Sequence, residues 1–266
     1  MTHRFSRRAG RRTDDGADPN LVAVLAILAA QPLSAWFDTE YTDGVTIESD
    51  AGTDRMTEIE SRPISGQLQY SVPPVALSVA PALDVTANNK RVLSFTGGRY
   101  MGGLCSLAAS FAGVATFTAV SLGSRSVGGS AIIRWSFGDS SGVDNRVTEL
   151  SSSGNLDNRN RAVAAGNTSN LGAALANGDV RVFSTTYNAT SYSTWMDGVL
   201  SINAAANTRS PTALDELWFG AQRAAGVITS FWRGMGGPIA ICSGVLGTTD
   251  RQALESSFGA YYGHPL

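Results

Sequence analysis

The feature that most constrains this 266-residue chain is an alternation of period two. It recurs over 91–96, 115–121, 131–137 and 180–184, with β-branched and aromatic residues on one side. In a strand, residues i and i+2 share a face, so each stretch can bury one side. Turn signals separate the stretches: Gly97-Gly98, Gly138-Asp139, Asn177-Gly178 and Asp197-Gly198. Asn-Gly and Asp-Gly suit two-residue hairpin loops, because both positions there need positive φ. Glycine supplies 29 residues, about 11% against a typical ~7%. Short strands at this spacing predict an all-β, antiparallel β-sandwich or jelly roll. The 43% apolar share can build a core, and the 16% charged share argues against a disordered or coiled-coil chain. No internal repeat of fixed period is present.

Both ends break the pattern. Asp18 can cap a helix, Pro19 fits its first position, and Pro32 ends it after the apolar run over 21–30. That run is about half the ~20 residues a membrane span needs, so no membrane span is expected. At the other end, Thr249 with Gln252 reads as a capping box, Leu254, Phe258 and Tyr261 form one helical face, and Gly263 and Pro265 stop the helix. The expected organisation is an N-terminal arm and docking helix over 1–32 and a sandwich over 33–266.

Charge is unevenly placed. The chain carries −2 overall, yet Arg4, Arg7, Arg8, Arg11 and Arg12 put five positive charges in the first twelve residues. The body is therefore acidic and is not expected to bind nucleic acid. Lys90 is the only lysine. A basic start, a short apolar run and Leu33-Ser34-Ala35 before Trp36 resemble a secretory signal, but Asp14, Asp15 and Asp18 interrupt where such a signal stays positive. The reading adopted is an uncleaved arm. Its arginines, with Leu21, Leu25 and Leu28, are expected to dock on neighbouring chains, so that removing residues 1–32 would leave a folded body.

Catalytic options are few. The only histidines, His3 and His264, are terminal, which removes most Ser-His, Cys-His and histidine-metal chemistry from the body. Cys105 and Cys242 lack metal-ligand spacing and can form one disulfide or stay as buried thiols. No G-x-S-x-G, P-loop or H-E-x-x-H occurs.

Several stretches together resemble a known family. The sequence over 236–246, then 249–255 and Tyr261-Tyr262-Gly263, resembles the close of concanavalin A-like, laminin-G-like jelly rolls. The stretch 33–38 resembles their opening strand, 92–98 an inner strand, 194–200 a hairpin and 217–220 the strand that follows. The resemblance spans roughly 33–263 and implies a lectin-like sandwich. It also suggests a setting, since stand-alone examples with an N-terminal arm resemble phage and prophage virion proteins. Expected partners are then other virion proteins, further copies of this chain and a cell-surface glycan. The expected place is a virion, with a secreted bacterial adhesin as the alternative.

Retaining glycoside hydrolysis in this superfamily needs two carboxyls about 5–5.5 Å apart. Glu58 and Glu60 could share a strand face, but the rest of the E-x-D-x-x-E strand is missing and the pair lies too early in the chain. A non-enzymatic role is expected. Asp139, Asp144 and Asn145 offer hard oxygen ligands for Ca²⁺, with Asp157-Asn158 as a second candidate. Such residues also populate turns by bonding their own backbone. For sugar stacking the candidates are Tyr187, Tyr192, Trp232 and Arg233, with Trp232 foremost because it lies between two predicted strands. Trp135, Trp195 and Trp218 sit inside strand patterns and read as core.

Overall fold

The computed structural model describes residues 18–266 apart from 87, 97, 113–115, 127–131, 142–145, 153–154, 163–164, 189, 207–212 and 225. Strands in the first part are β1 (Ser34–Phe37), β2 (Val45–Asp50), β3 (Thr53–Glu60), β4 (Ser71–Val72), β5 (Ala82–Val85), β6 (Arg91–Phe95) and β7 (Met101–Leu104). The middle holds β8 (Phe117–Arg125), β9 (Ile132–Gly138), β10 (Arg146–Ser152), β11 (Asn155–Ala162), β12 (Ala165–Ala174) and β13 (Val180–Tyr187). Then come β14 (Ser191–Met196), β15 (Val199–Ala206), β16 (Glu216–Phe219), β17 (Gln222–Ala224), β18 (Val227–Thr229), β19 (Gly234–Gly236) and β20 (Ile239–Ser243). Helices are α1 (Pro19–Ala29), α2 (Ser106–Ser110) and α3 (Thr248–Tyr261).

These strands form an antiparallel jelly-roll sandwich. The larger sheet runs β15-β14-β13-β8-β19-β6-β5-β3-β2, with β20 joining β8 to β1 and β4 added to β3. The smaller runs β12-β11-β10-β9-β16-β7, and β17–β18 form a separate hairpin. Asp197 and Gly198 both take positive φ in the two-residue turn between β14 and β15, as the Asp-Gly signal predicts.

At its centre the larger sheet is buried on both faces. Along β1, Ala35 and Phe37 face the smaller sheet's core, while Trp36 belongs to a second core. β20 repeats this, with Ile239 and Ile241 on one side and Ala240 and Cys242 on the other. The first core holds Phe117, Trp135, Phe137, Tyr187 and Tyr192 between the sheets. The second lies under the helices: Leu21, Val24 and Leu28 of α1 meet Leu254, Phe258 and Tyr261 of α3 over Trp36, Val120 and Leu122. The molecule is therefore layered small sheet, large sheet, helices.

This arrangement corrects the expectation for the N-terminal helix. Asp18 caps α1 through the amides of Asn20 and Leu21, as its sequence predicts. Its apolar face, however, is covered by this chain's own α3 and β1: Leu21 and Leu28 are buried and Leu25 is partly so. The five arm arginines lie outside the described residues. The capping box is also corrected, because α3 starts at Thr248 after Gly247 and makes no side-chain cap bond.

Candidate functional site

β16, buried along its whole length, carries the residues that underlie a surface site. Leu217 and Phe219 point into the inter-sheet core. Alternation turns Glu216 and Trp218 to the opposite face of the smaller sheet. In register with Trp218 on the edge strand is Gly102, where a Cβ would sit 2.4 Å from the indole ring, so the ring lies flat over β7. Trp218 Nε1 donates to Glu216 Oε2 at 2.9 Å, and Arg223 Nη1 of β17 donates to Glu216 Oε1 at 2.8 Å. The Glu216 carboxylate is thereby shared between an indole and a guanidinium. It is nearly fully buried, while the Arg223 side chain stays 31% exposed.

Two further aromatics extend this surface. Tyr100, just before β7, sets its ring edge-on to Trp218 at 5.7 Å. Phe231, between β18 and β19, stacks on Tyr100 at 5.9 Å with 27° between planes. Both are half-buried, so part of each ring remains open to solvent. Arg233, two residues beyond Phe231, is exposed.

The loop that places Phe231 is the one the sequence singles out, but through a different residue. Trp232 is buried in the core, its Nε1 donating to the Met235 carbonyl at 3.0 Å and its amide to the Gly220 carbonyl at 2.7 Å. The Arg134 guanidinium lies 5.9 Å from its ring. No face of Trp232 is free to stack on a sugar, and its neighbours Phe231 and Arg233 are turned outward instead. Tyr187 and Tyr192 are likewise corrected. They are buried, stacked on each other at 5.5 Å, and Tyr187 stacks on Phe117 at 4.5 Å inside the sandwich. Trp195, read as core, is partly exposed and faces the Arg251 guanidinium at 3.9 Å.

The calcium reading finds little support in the geometry. Asp139 is buried, and its carboxylate accepts from the Ser141 amide at 2.8 Å and the Ser141 hydroxyl at 2.9 Å, the local turn bonding typical of aspartate. Asp144 and Asn145 lie outside the described residues, as do the side chains of Asp157 and Asn158. Among the described residues no group of three or more His, Cys, Asp or Glu is placed to hold a metal ion. Glu58 and Glu60 lie on β3, where Glu58 accepts from the Thr46 hydroxyl at 2.9 Å. Among the described residues no helix is long and apolar enough to cross a membrane.

No family model matches the chain, and no curated protein sequence does. Solved structures do share its architecture. The binding domain of botulinum neurotoxin serotype D aligns with TM-score 0.57 at 13% identity, over 92% of this chain and 56% of that one. The K499G mutant of NanB sialidase from Streptococcus pneumoniae aligns with TM-score 0.51 at 14% identity, over 60% of this chain and 27% of that one. The CBM40 of Ruminococcus gnavus IT-sialidase, bound to α2,3 sialyllactose, aligns with TM-score 0.48 at 13% identity, over 56% of this chain and 86% of that one. At these identities the likeness concerns the fold alone: this chain is an antiparallel β-sandwich.

Proposed function

We propose that the chain is a non-enzymatic binding module whose ligand is a glycan, held at Tyr100 and Phe231 and backed by the buried Trp218, which is core as its strand pattern predicts. The observation that carries this reading is the half-open aromatic pair standing beside the Glu216–Arg223 ion pair and the exposed Arg233. Ring faces accept the apolar face of a pyranose, while the partly exposed Arg223 and the exposed Arg233 can donate to hydroxyls. Few convergent polar groups beside apolar rings is the usual make-up of a small-ligand site. The test is a glycan array followed by calorimetry. Phe231→Ala and Tyr100→Ala are each expected to weaken a glycan hit about tenfold or more, as loss of a central anchor does. Val227→Ala, on the exposed β17–β18 hairpin, is expected to leave it unchanged. An array without hits, or hits indifferent to both aromatic variants, would refute the reading.

The setting we propose is a phage virion, as a fibre, spike, baseplate or decoration component, with a secreted bacterial adhesin as the alternative. The family resemblance and the arginine-rich leading segment support it. Imaging particles with a label on this chain tests it, since virions without label exclude the placement.

A further inference from the structure

β2 is the outer strand of the larger sheet, so one side of its backbone has no strand partner among the described residues. Such an edge invites pairing by another segment. The charge of the hairpin it forms with β3 is one-sided: residues 43–60 hold six acidic side chains and one basic, Arg55. Arg55 pairs with Asp50 at 2.9 Å. Asp43, Glu48, Asp54, Glu58 and Glu60 have no cationic partner among the described residues, and all five are at least partly exposed. The chain's complementary segment is the arm, with five arginines and no acid over residues 4–12. The arm also starts within reach: Asp18 lies beside the start of β6, three strand spacings from β2, about 15 Å at ~4.8 Å per strand. Asp18 lies 4.0 Å from Lys90, and the next residue, Arg91, pairs with Glu40 at 3.1 Å, five residues before β2 begins. From Asp18 an extended chain reaches about 20 Å by Arg12 and about 45 Å by Arg4, at ~3.3 Å per residue. That is enough to run along a strand the length of β2. Tethering raises the arm's effective concentration to about millimolar, which favours this chain's own edge over another molecule's.

We propose that the acidic β2–β3 edge is the seat of this chain's own N-terminal arm. Arg4 to Arg12 lie along it, neutralise it and shield the open edge from strand pairing. In an assembly the arm would first have to leave this seat to reach a neighbour. The inference stands apart from the glycan reading, since it uses none of the same residues.

The arm's arginines are trypsin sites, so their cleavage rate reports the seat directly. The full-length protein is compared with a variant carrying Glu48→Gln, Asp54→Asn, Glu58→Gln and Glu60→Gln, whose amides can keep the bonds to Thr46 and Thr57. At low salt the wild-type arm is expected to be cut about tenfold more slowly than the variant's, the combined effect of several weak surface ion pairs. In about 1 M salt, where screening acts over about 3 Å, the wild type should be cut as fast as the variant. A short unstructured arginine peptide is the control for salt effects on trypsin itself. The protection should not change with protein concentration. Equal cleavage of wild type and variant at low salt overturns the proposal. Protection that grows with concentration overturns it too, because it places the arm on a second copy. If the variant fails to fold, the salt series on the wild type decides alone.

Discussion

Cys105 and Cys242 are free thiols in different cores, the first between the sheets and the second beneath the helices. Sequence spacing left a disulfide open, because pairing is decided by three-dimensional distance. Burial pushes the Cys105 thiol up to about 11 and the Cys242 thiol up to about 12. The thiolate is the reactive form, so neither group should react at neutral pH in the folded chain. Mass spectrometry after treatment with a thiol reagent should find both unlabelled until denaturant is added, and labelling of the native chain would contradict the packing. A second residue-scale prediction concerns Gly234. Its φ of +138° and its backbone leave a Cβ 1.9 Å from the Ser124 carbonyl oxygen. Gly234→Ala should therefore destabilise the protein by more than about 3 kcal/mol, measured by denaturant unfolding. The same stretch shows where the sequence stops being readable. Phe231 and Trp232 are adjacent aromatics in one loop, and composition marks the loop. Which ring faces solvent depends on Ser230, held at φ +58°, and on the Trp232 bonds to Gly220 and Met235, none of which composition or alternation expresses.

At the scale of elements, the strands were legible because their burial follows period two, and the Asp-Gly turn because its backbone demand is local. The partner of α1 was not legible. Leu21, Val24 and Leu28 announce an apolar face, but a face does not name what covers it. Here the cover is α3, more than two hundred residues later, and the two helices close the second core together. An isolated helix of this length is marginal, so its stability comes from that docking. Leu28 is fully buried. Leu28→Ala should cost about 2–5 kcal/mol, whereas a purely external docking helix would show almost no loss. Truncation separates the same two views. In high salt, where the arm's ion pairs are screened, removing residues 1–17 should leave the melting temperature unchanged. Removing residues 1–32 should expose Trp36, Phe258 and Tyr261 and yield an unfolded or aggregating chain, against the expectation that the body folds without them. Circular dichroism melts of the two truncations provide the comparison.

On the whole-molecule scale, the large sheet and the helical layer are tied at a buried polar junction that no local sequence pattern advertises. Asp38, just past β1, is fully buried and accepts from Arg62 Nε at 2.8 Å, from the Tyr262 hydroxyl at 2.6 Å and from the Glu40 amide at 2.9 Å. Arg62 follows β3 and Tyr262 is the C-cap of α3, so the junction joins the large sheet to the helical layer. Arg62 also lies 5.6 Å from the Trp36 ring and 5.4 Å from the Tyr41 ring. A buried carboxylate is tolerated only when paired in this way, and removing one partner leaves the other costly. The arrangement has a consequence at high pH. Burial, and then the Asp38 charge, hold the Tyr262 hydroxyl well above its ordinary value of 10.0. In the unfolded chain Tyr262 loses its proton near the ordinary value, whereas the folded chain keeps it. Above that pH the unfolded state binds fewer protons than the native state, so stability falls as pH rises. The contribution is fully present below pH 10.0 and is lost progressively from there toward the raised folded value. Tyr262→Phe removes this proton linkage and should flatten the alkaline slope of unfolding free energy. It should also lower stability at neutral pH by about 1–3 kcal/mol, because Asp38 loses a donor. Urea unfolding of both proteins across the alkaline range measures the two effects separately. Parallel slopes would show that Tyr262 does not carry the linkage, and an undiminished neutral stability would show that Asp38 does not depend on it.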